Sequence, residues 1–222
     1  MKAHYPFEYM AAVLTSYMLK NDKLIKYIAS CNFNGTKVLP PDINISNADF
    51  TPVDNSIRFG LVGLRGVGNE MAAAIVKERK ARGKFKHLHD FVSRMTGNKC
   101  NRRVLEALIK GGAFDSTGYT RKQMMYFVDE TQLLDIASQR SKDYEVGQAS
   151  LFDLCEDESL DLSIESDIPA PDGEEWPLRE KLKFEKEIMN MYVTENPVKP
   201  YMPQISSVCK YNISQVKCST FY

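Results

Sequence analysis

The stretch FGLVGLRGVGNEMAAAIVKERKARG, Phe59 to Gly83, decides the fold. A short apolar turn of helix leads into Gly66-Val67-Gly68. A longer helix follows, with Met71, Ala72, Ile75 and Arg79 at helical spacing. Two glycines one residue apart let the backbone turn tightly and come close to a ligand. The helix that starts after them offers unpaired N–H groups and the positive end of its dipole to whatever sits in the turn, a place that suits an anion.

That order of parts is a helix-hairpin-helix, a module that grips a nucleic-acid backbone without reading bases. Charge agrees with it. Residues 58–126 hold 15 Lys and Arg against 5 Asp and Glu, while residues 127–187 hold 6 against 18, although the whole chain is neutral. A basic block beside an acidic spacer fits a polyanion-facing module. The expected phosphate site takes in Arg65, Gly66, Val67, Gly68 and Asn69, with the amides from Val67 to Glu70 as donors and Lys77 and Arg79 as nearby cations. Lys99, Arg102 and Arg103 are candidates for a second phosphate track. Such contacts position double-stranded DNA and carry no base code. A dinucleotide loop would need Gly or Ala where Met71 stands, and no convincing strand precedes the glycines. The plain alternative is a structural turn between packed helices.

The expected fold class is mainly α, with a small β-hairpin. Helices are predicted at about 6–19, 22–34, 60–65, 69–82, 87–95, 101–110, 120–138 and 177–192. Extended pieces at 48–52 and 56–59 flank Asp54-Asn55 as a tight hairpin. Thr120 and Gln123 make a capping box. Helix, glycine turn, helix recurs in weaker form around Gly111-Gly112, so the module reads as a tandem pair with a degenerate second copy. The acidic, Pro-bearing stretch after Ser141 reads as a linker. Val208–Phe221 reads as the start of a β-rich domain.

Other chemistry finds little support. The five cysteines (Cys31, Cys100, Cys155, Cys209, Cys218) form no Cys-x-x-Cys pair and read as reduced thiols of a cytoplasmic protein. No apolar run is long enough to span a bilayer and no signal peptide is evident. Asp153, Glu156, Asp157, Glu158 and Asp161 lie on the linker, whereas a catalytic metal needs carboxylates held rigidly together. His87 and His89 fall on different sides of a helix, and His4 reads as structural. Trp176 and the tyrosines could stack on bases, but their spacing does not require it.

Several separated motifs then agree on one family. His4-Tyr5-Pro6-Phe7-Glu8-Tyr9-Met10-Ala11-Ala12 resembles a stretch late in the fingers domain of the bacterial DNA polymerase III alpha subunit, and Val38-Leu39-Pro40-Pro41-Asp42-Ile43-Asn44 resembles the loop after it. Ile57-Arg58-Phe59-Gly60-Leu61 with Gly66-Val67-Gly68 is similar to the start of that family's helix-hairpin-helix domain. Arg103 to Asp115 is similar to its second half. Lys183-Phe184-Glu185-Lys186-Glu187 and Asn196-Pro197 resemble the segment leading to the OB domain. The resemblance covers nearly the whole chain, in order. It implies an internal piece of a longer polymerase, with palm aspartates and PHP domain upstream and an OB fold downstream. It further implies no cofactor in this piece, magnesium in the absent palm, and the rest of the polymerase holoenzyme as partner. It divides the chain into an end-of-fingers region (1–57), a tandem helix-hairpin-helix domain (58–140), an acidic linker (141–176) and a lead-in to a truncated OB-like domain (177–222).

Gln148-Ala149-Ser150-Leu151-Phe152 resembles the bacterial sliding-clamp-binding peptide, at the place where this family carries an internal copy. Leu151 and Phe152 would fill an apolar pocket on the clamp, the beta subunit, with Gln148 and Ser150 at its rim. The expected activity of the chain is therefore binding of duplex DNA and of the clamp, without polymerisation. The rival is a freestanding helix-hairpin-helix glycosylase, which would need a catalytic acid such as Asp90 beside a base-sized pocket.

Overall fold

The computed structural model describes residues 4–95, 100–130, 133–134 and 173–208. Helix α1 (Pro6–Ser16) begins with proline at its first position, where the missing N–H costs nothing, and turns Ala11 and Leu14 inward. Helix α2 (Asn21–Phe33) buries Leu24, Ile28 and Cys31 against it. Tyr17 stacks on Tyr27 at 5.0 Å across the join.

Strands β1 (Lys37–Leu39), β2 (Thr51–Val53) and β3 (Ser56–Arg58) form one sheet in the order β1-β3-β2. The expected hairpin is there: β2 and β3 pair antiparallel around Asp54-Asn55, with Asp54 at φ 51° as the tight turn requires. Strand β1 runs parallel to β3, Val38 opposite Ile57. The sequence reading placed Val38-Leu39 in a loop, because three residues show no periodicity before Pro40-Pro41.

A 3-10 turn (Leu61–Gly63) then opens the helical part: α3 (Asn69–Arg82), α4 (Leu88–Met95), α5 (Arg102–Lys110) and α6 (Arg121–Glu130). Helix α3 has the bounds expected from the sequence, set by Gly68 before it and Gly83 after it. Phe91 is the hub of the core, meeting Phe85 and Phe114 edge-on at 5.0 and 5.1 Å. Leu61, Leu64, Ile75, Leu88, Leu105 and Leu108 belong to the same buried core. Asn101 caps α5 by accepting the Val104 N–H at 3.0 Å. The capping box at α6 is formed: Thr120 N–H donates to Gln123 Oε1 at 3.0 Å and Gln123 N–H to Thr120 Oγ1 at 3.2 Å.

Helix α7 (Leu178–Met189, followed by Asn190) packs against α5, so the division before residue 177 does not separate it from the hairpin helices. The reason is a buried ion group. Arg121 donates to both oxygens of Asp115, at 2.8 and 2.6 Å, and to Glu185 Oε1 at 3.2 Å. The other Glu185 oxygen accepts the Val193 and Thr194 amides at 3.0 and 3.1 Å. Gly112 makes room for it: at φ +79° a Cβ would stand 2.2 Å from the Arg121 guanidinium. Glu175 leads into α7 and accepts the Arg121 and Lys122 amides at the start of α6, at 3.2 and 3.3 Å. The chain then passes through a 3-10 turn (Lys199–Tyr201) into α8 (Met202–Val208).

Lys99, the acidic stretch with Asp153 to Asp161, and the Gln148–Phe152 motif lie outside the described residues. So does the expected strand region beyond Val208, and Val208 itself ends a helix. Among the described residues no helix is long and apolar enough to cross a membrane.

Candidate nucleic-acid interface

The hairpin turn is exposed at Arg65, Gly66, Gly68 and Asn69. Gly66 adopts φ +107°, a backbone shape that side-chain-bearing residues rarely take. Gly68 is the N-cap of α3 and makes no side-chain cap there, and Glu70 stands in the first turn. The first intrahelical bond at this end runs from Ala72 N–H to the Gly68 carbonyl, so the exposed Gly68 and Asn69 amides precede the helix ladder. Val67 departs from the expected set. Its N–H donates to the Leu64 carbonyl at 3.0 Å and its side chain is buried, so it closes the turn from inside and offers no amide to a ligand.

Two cations flank the turn. The Arg65 N–H is held by the Ile188 carbonyl at 3.0 Å, and its guanidinium reaches Asn190 Oδ1 at 3.0 Å. Arg103, on the first turn of α5, lies alongside Gly66: a Cβ there would come within 3.8 Å of its Cγ and Nε. Both arginines are exposed. The structure thus joins one residue from the first glycine turn and one from the second helical unit, 38 positions apart in sequence, on a single face.

The other expected cations divide. Arg79 turns inward and donates to the Ile43 and Ser46 carbonyls at 2.8 and 2.9 Å. It braces α3 on the 42–47 loop, where Asn44 and Phe85 add a reciprocal pair of bonds at 2.9 and 2.8 Å. Burial draws its pKa down against the pull of Asp42, and its Nη1 is committed to the two carbonyls, so it leaves the phosphate set. Arg102 pairs with Glu106 at 2.9 Å and with Asp129; the Glu106 hydrogen bond and the Asp129 charge hold its pKa up. A phosphate would have to compete with two carboxylates there. Lys77 is exposed but stands eight residues up α3, about 12 Å from its start.

The glycosylase candidate Asp90 is nine-tenths buried. Its Oδ2 accepts the Lys86 amide at 2.8 Å and Arg94 Nη1 at 3.3 Å. Arg94 also binds Glu78 at 3.2 Å and lies over the Phe85 ring at 4.3 Å. Asp90 is thus a bracket of α4, not an acid open to a base. Among the described residues no three His, Cys, Asp or Glu side chains are grouped to hold a metal ion. Sequence reasoning missed Asn190. Asn just past a helix end marks a left-handed stop, which it adopts at φ 57°, but nothing local connects it to Arg65.

The family model for the helix-hairpin-helix motif matches residues 35–124, which takes in the small sheet as well as the hairpin helices. The chain is 39% identical over 204 residues to the DNA polymerase III subunit alpha of Saccharopolyspora erythraea, covering 89% of the chain and 16% of that relative. It is 36% identical over 218 residues to the subunit of Neisseria meningitidis, covering 98% of the chain and 18% of the relative. The match to the Borreliella burgdorferi subunit is 35% over 213 residues, again 18% of the relative. The chain therefore spans about one sixth of the length of these curated relatives. Over that length it belongs to the bacterial DNA polymerase III alpha subunit family and carries a helix-hairpin-helix motif.

Proposed function

We propose that the hairpin grips the backbone of duplex DNA without sequence preference, within a replicative polymerase that adds deoxynucleotides on a template. The carrying observation is the exposed turn at Gly66 and the uncapped start of α3, flanked by Arg65 and Arg103. Amides and a helix dipole aimed at one point suit a phosphate, and two guanidinium groups can each form paired bonds with its oxygens. The working set is Arg65, Gly66, Gly68, Asn69 and Arg103, with Arg102 available if it gives up its carboxylates. Lys77 and Lys99 lie further along the same basic block.

The Gln148, Ser150, Leu151 and Phe152 motif binds the sliding clamp in this reading. Duplex grip and clamp tether together would keep the polymerase on its product, because two linked weak sites gain from effective concentration. Catalysis with magnesium would belong to a palm elsewhere in a bacterial, cytoplasmic holoenzyme, and this chain alone would not extend a primer. Titration of a random-sequence duplex against salt tests the grip: log K should fall with log salt by about 0.9 per neutralised phosphate, and a flat line would overturn it.

A further inference from the structure

We propose that the outer flank of α7 is a binding groove for single-stranded nucleic acid. The groove, about 1160 Å³, lies between α7 and the chain that follows it to Tyr201. Arg179, Lys183 and Lys186 line it at spacings of four and three residues, so they stand in a row on one helical face, all exposed. Tyr192 and Tyr201 line the same groove and are 44% and 59% exposed. Lys186 Nζ sits 5.5 Å from the Tyr192 ring centroid, so a cation and an aromatic face meet inside the groove. Leu178, Pro197 and Pro200 give it an apolar wall, and Glu180 is the acid in its lining.

Cations that track a backbone beside open aromatic faces are what an unpaired strand needs, since its bases are free to stack. A duplex keeps its base faces to itself and would leave both tyrosines idle. An acidic peptide would use the cations without calling for exposed rings. Position supports the strand. The inner flank of α7 (Ile188, Met189) is buried in the core that holds the hairpin helices, and Asn190, four residues after Lys186, holds Arg65. One helical turn, about 5.4 Å, therefore links the two cationic surfaces.

The test is fluorescence anisotropy of labelled dT12 with the full chain across a salt series. Binding should weaken with salt by about 0.7 in log K per contacted phosphate. Lys183→Gln with Lys186→Gln should cut affinity about tenfold and flatten that slope. Tyr192→Ala with Tyr201→Ala should cut it about tenfold and leave the slope alone. Melting curves of each variant confirm that it is folded. Arg65→Gln with Arg103→Gln should keep dT12 binding, which separates this groove from the duplex grip. No dT12 binding by the folded chain, or binding that neither groove pair alters, would overturn the proposal. So would tighter binding of a Glu-rich, leucine-bearing peptide than of dT12.

Discussion

Arg121 and Glu185, 64 residues apart and each 1% exposed, face each other at 3.2 Å where α6 meets α7. Burial works against the charge on Arg121, but the hydrogen bond and charge of Asp115, with the charge of Glu185, hold its pKa above the ordinary value. The desolvation of such a pair is offset only because its remaining donors and acceptors are filled. Here they are, by Asp115, the Lys110 carbonyl, the Val193 and Thr194 amides, and the Thr194 hydroxyl. Removing Glu185 leaves part of the buried Arg121 charge unmet and strands the Val193 and Thr194 amides. Glu185→Ala should cost about 3–5 kcal/mol, read as a lower urea midpoint. A cost under about 1 kcal/mol would mean that α7 is not locked to the hairpin through this carboxylate.

Arg65 and Arg79 have opposite fates, and substitution should separate them. Arg65→Gln and Arg103→Gln should each weaken duplex binding and lower the salt slope by about 0.9 with little change in melting temperature. Arg79→Gln should do the reverse. Loss of charged hydrogen bonds to the Ile43 and Ser46 carbonyls should cost about 2 kcal/mol of stability, with the salt slope intact. A reduced slope in the Arg79 variant would return that residue to the interface.

The two glycine turns should differ in tolerance. Gly66→Ala meets a strained φ but has space, the nearest atom being Ala107 Cβ at 3.5 Å, so the cost should be about 1–3 kcal/mol. Duplex affinity should fall as the turn shifts. Gly112→Ala meets the same kind of strain and drives a methyl into the Arg121 guanidinium. It should destabilise distinctly more, as thermal melts of the two variants would show.

Acid should loosen the molecule through particular carboxylates. Burial disfavours ionised Glu78, but hydrogen bonds from Arg82 and Arg94 outweigh it and hold the pKa below the usual 4.5. Glu106 stands likewise between Arg102 and Lys110, and Glu175 between the Trp176 and Arg121 amides and Lys181. A folded-state pKa below the unfolded one stabilises above the unfolded value, and that share is lost as pH falls through the folded value. Urea midpoints should therefore be level above about pH 5 and drop below about pH 4.5. Glu78→Gln should flatten that drop.

The clamp motif has its own test. Leu151→Ala with Phe152→Ala should abolish binding to the beta clamp in a surface-capture assay and leave duplex affinity unchanged. Undiminished clamp binding would remove that partner.

The hairpin was legible because its signals are local. Gly66-Val67-Gly68, the apolar spacing of α3 and the Thr120–Gln123 box lie within a few residues of the backbone feature each causes. Helix bounds followed from caps and glycines. Whatever depends on long-range contact was not legible. Arg79 looks like any cation of a basic block, and only the fold brings the Ile43 and Ser46 carbonyls under it. Val67 reads as part of an anion loop until its side chain is found in the core. Asn190 and Arg103 reach the turn from elements distant in sequence, and strand β1 exists only because β3 offers an open edge.

Glu175 reaches α6 from 54 positions along the chain: it accepts the first two amides of that helix, and Gly173 lies against the Gln123 side chain. The same carboxylate pairs with Lys181 on α7 at 3.2 Å. A negative charge at the positive end of a helix is worth about 0.3–1 kcal/mol. One proton taken up by Glu175 would therefore be felt at two helices together, the start of α6 losing its counter-charge as α7 loses its ion pair.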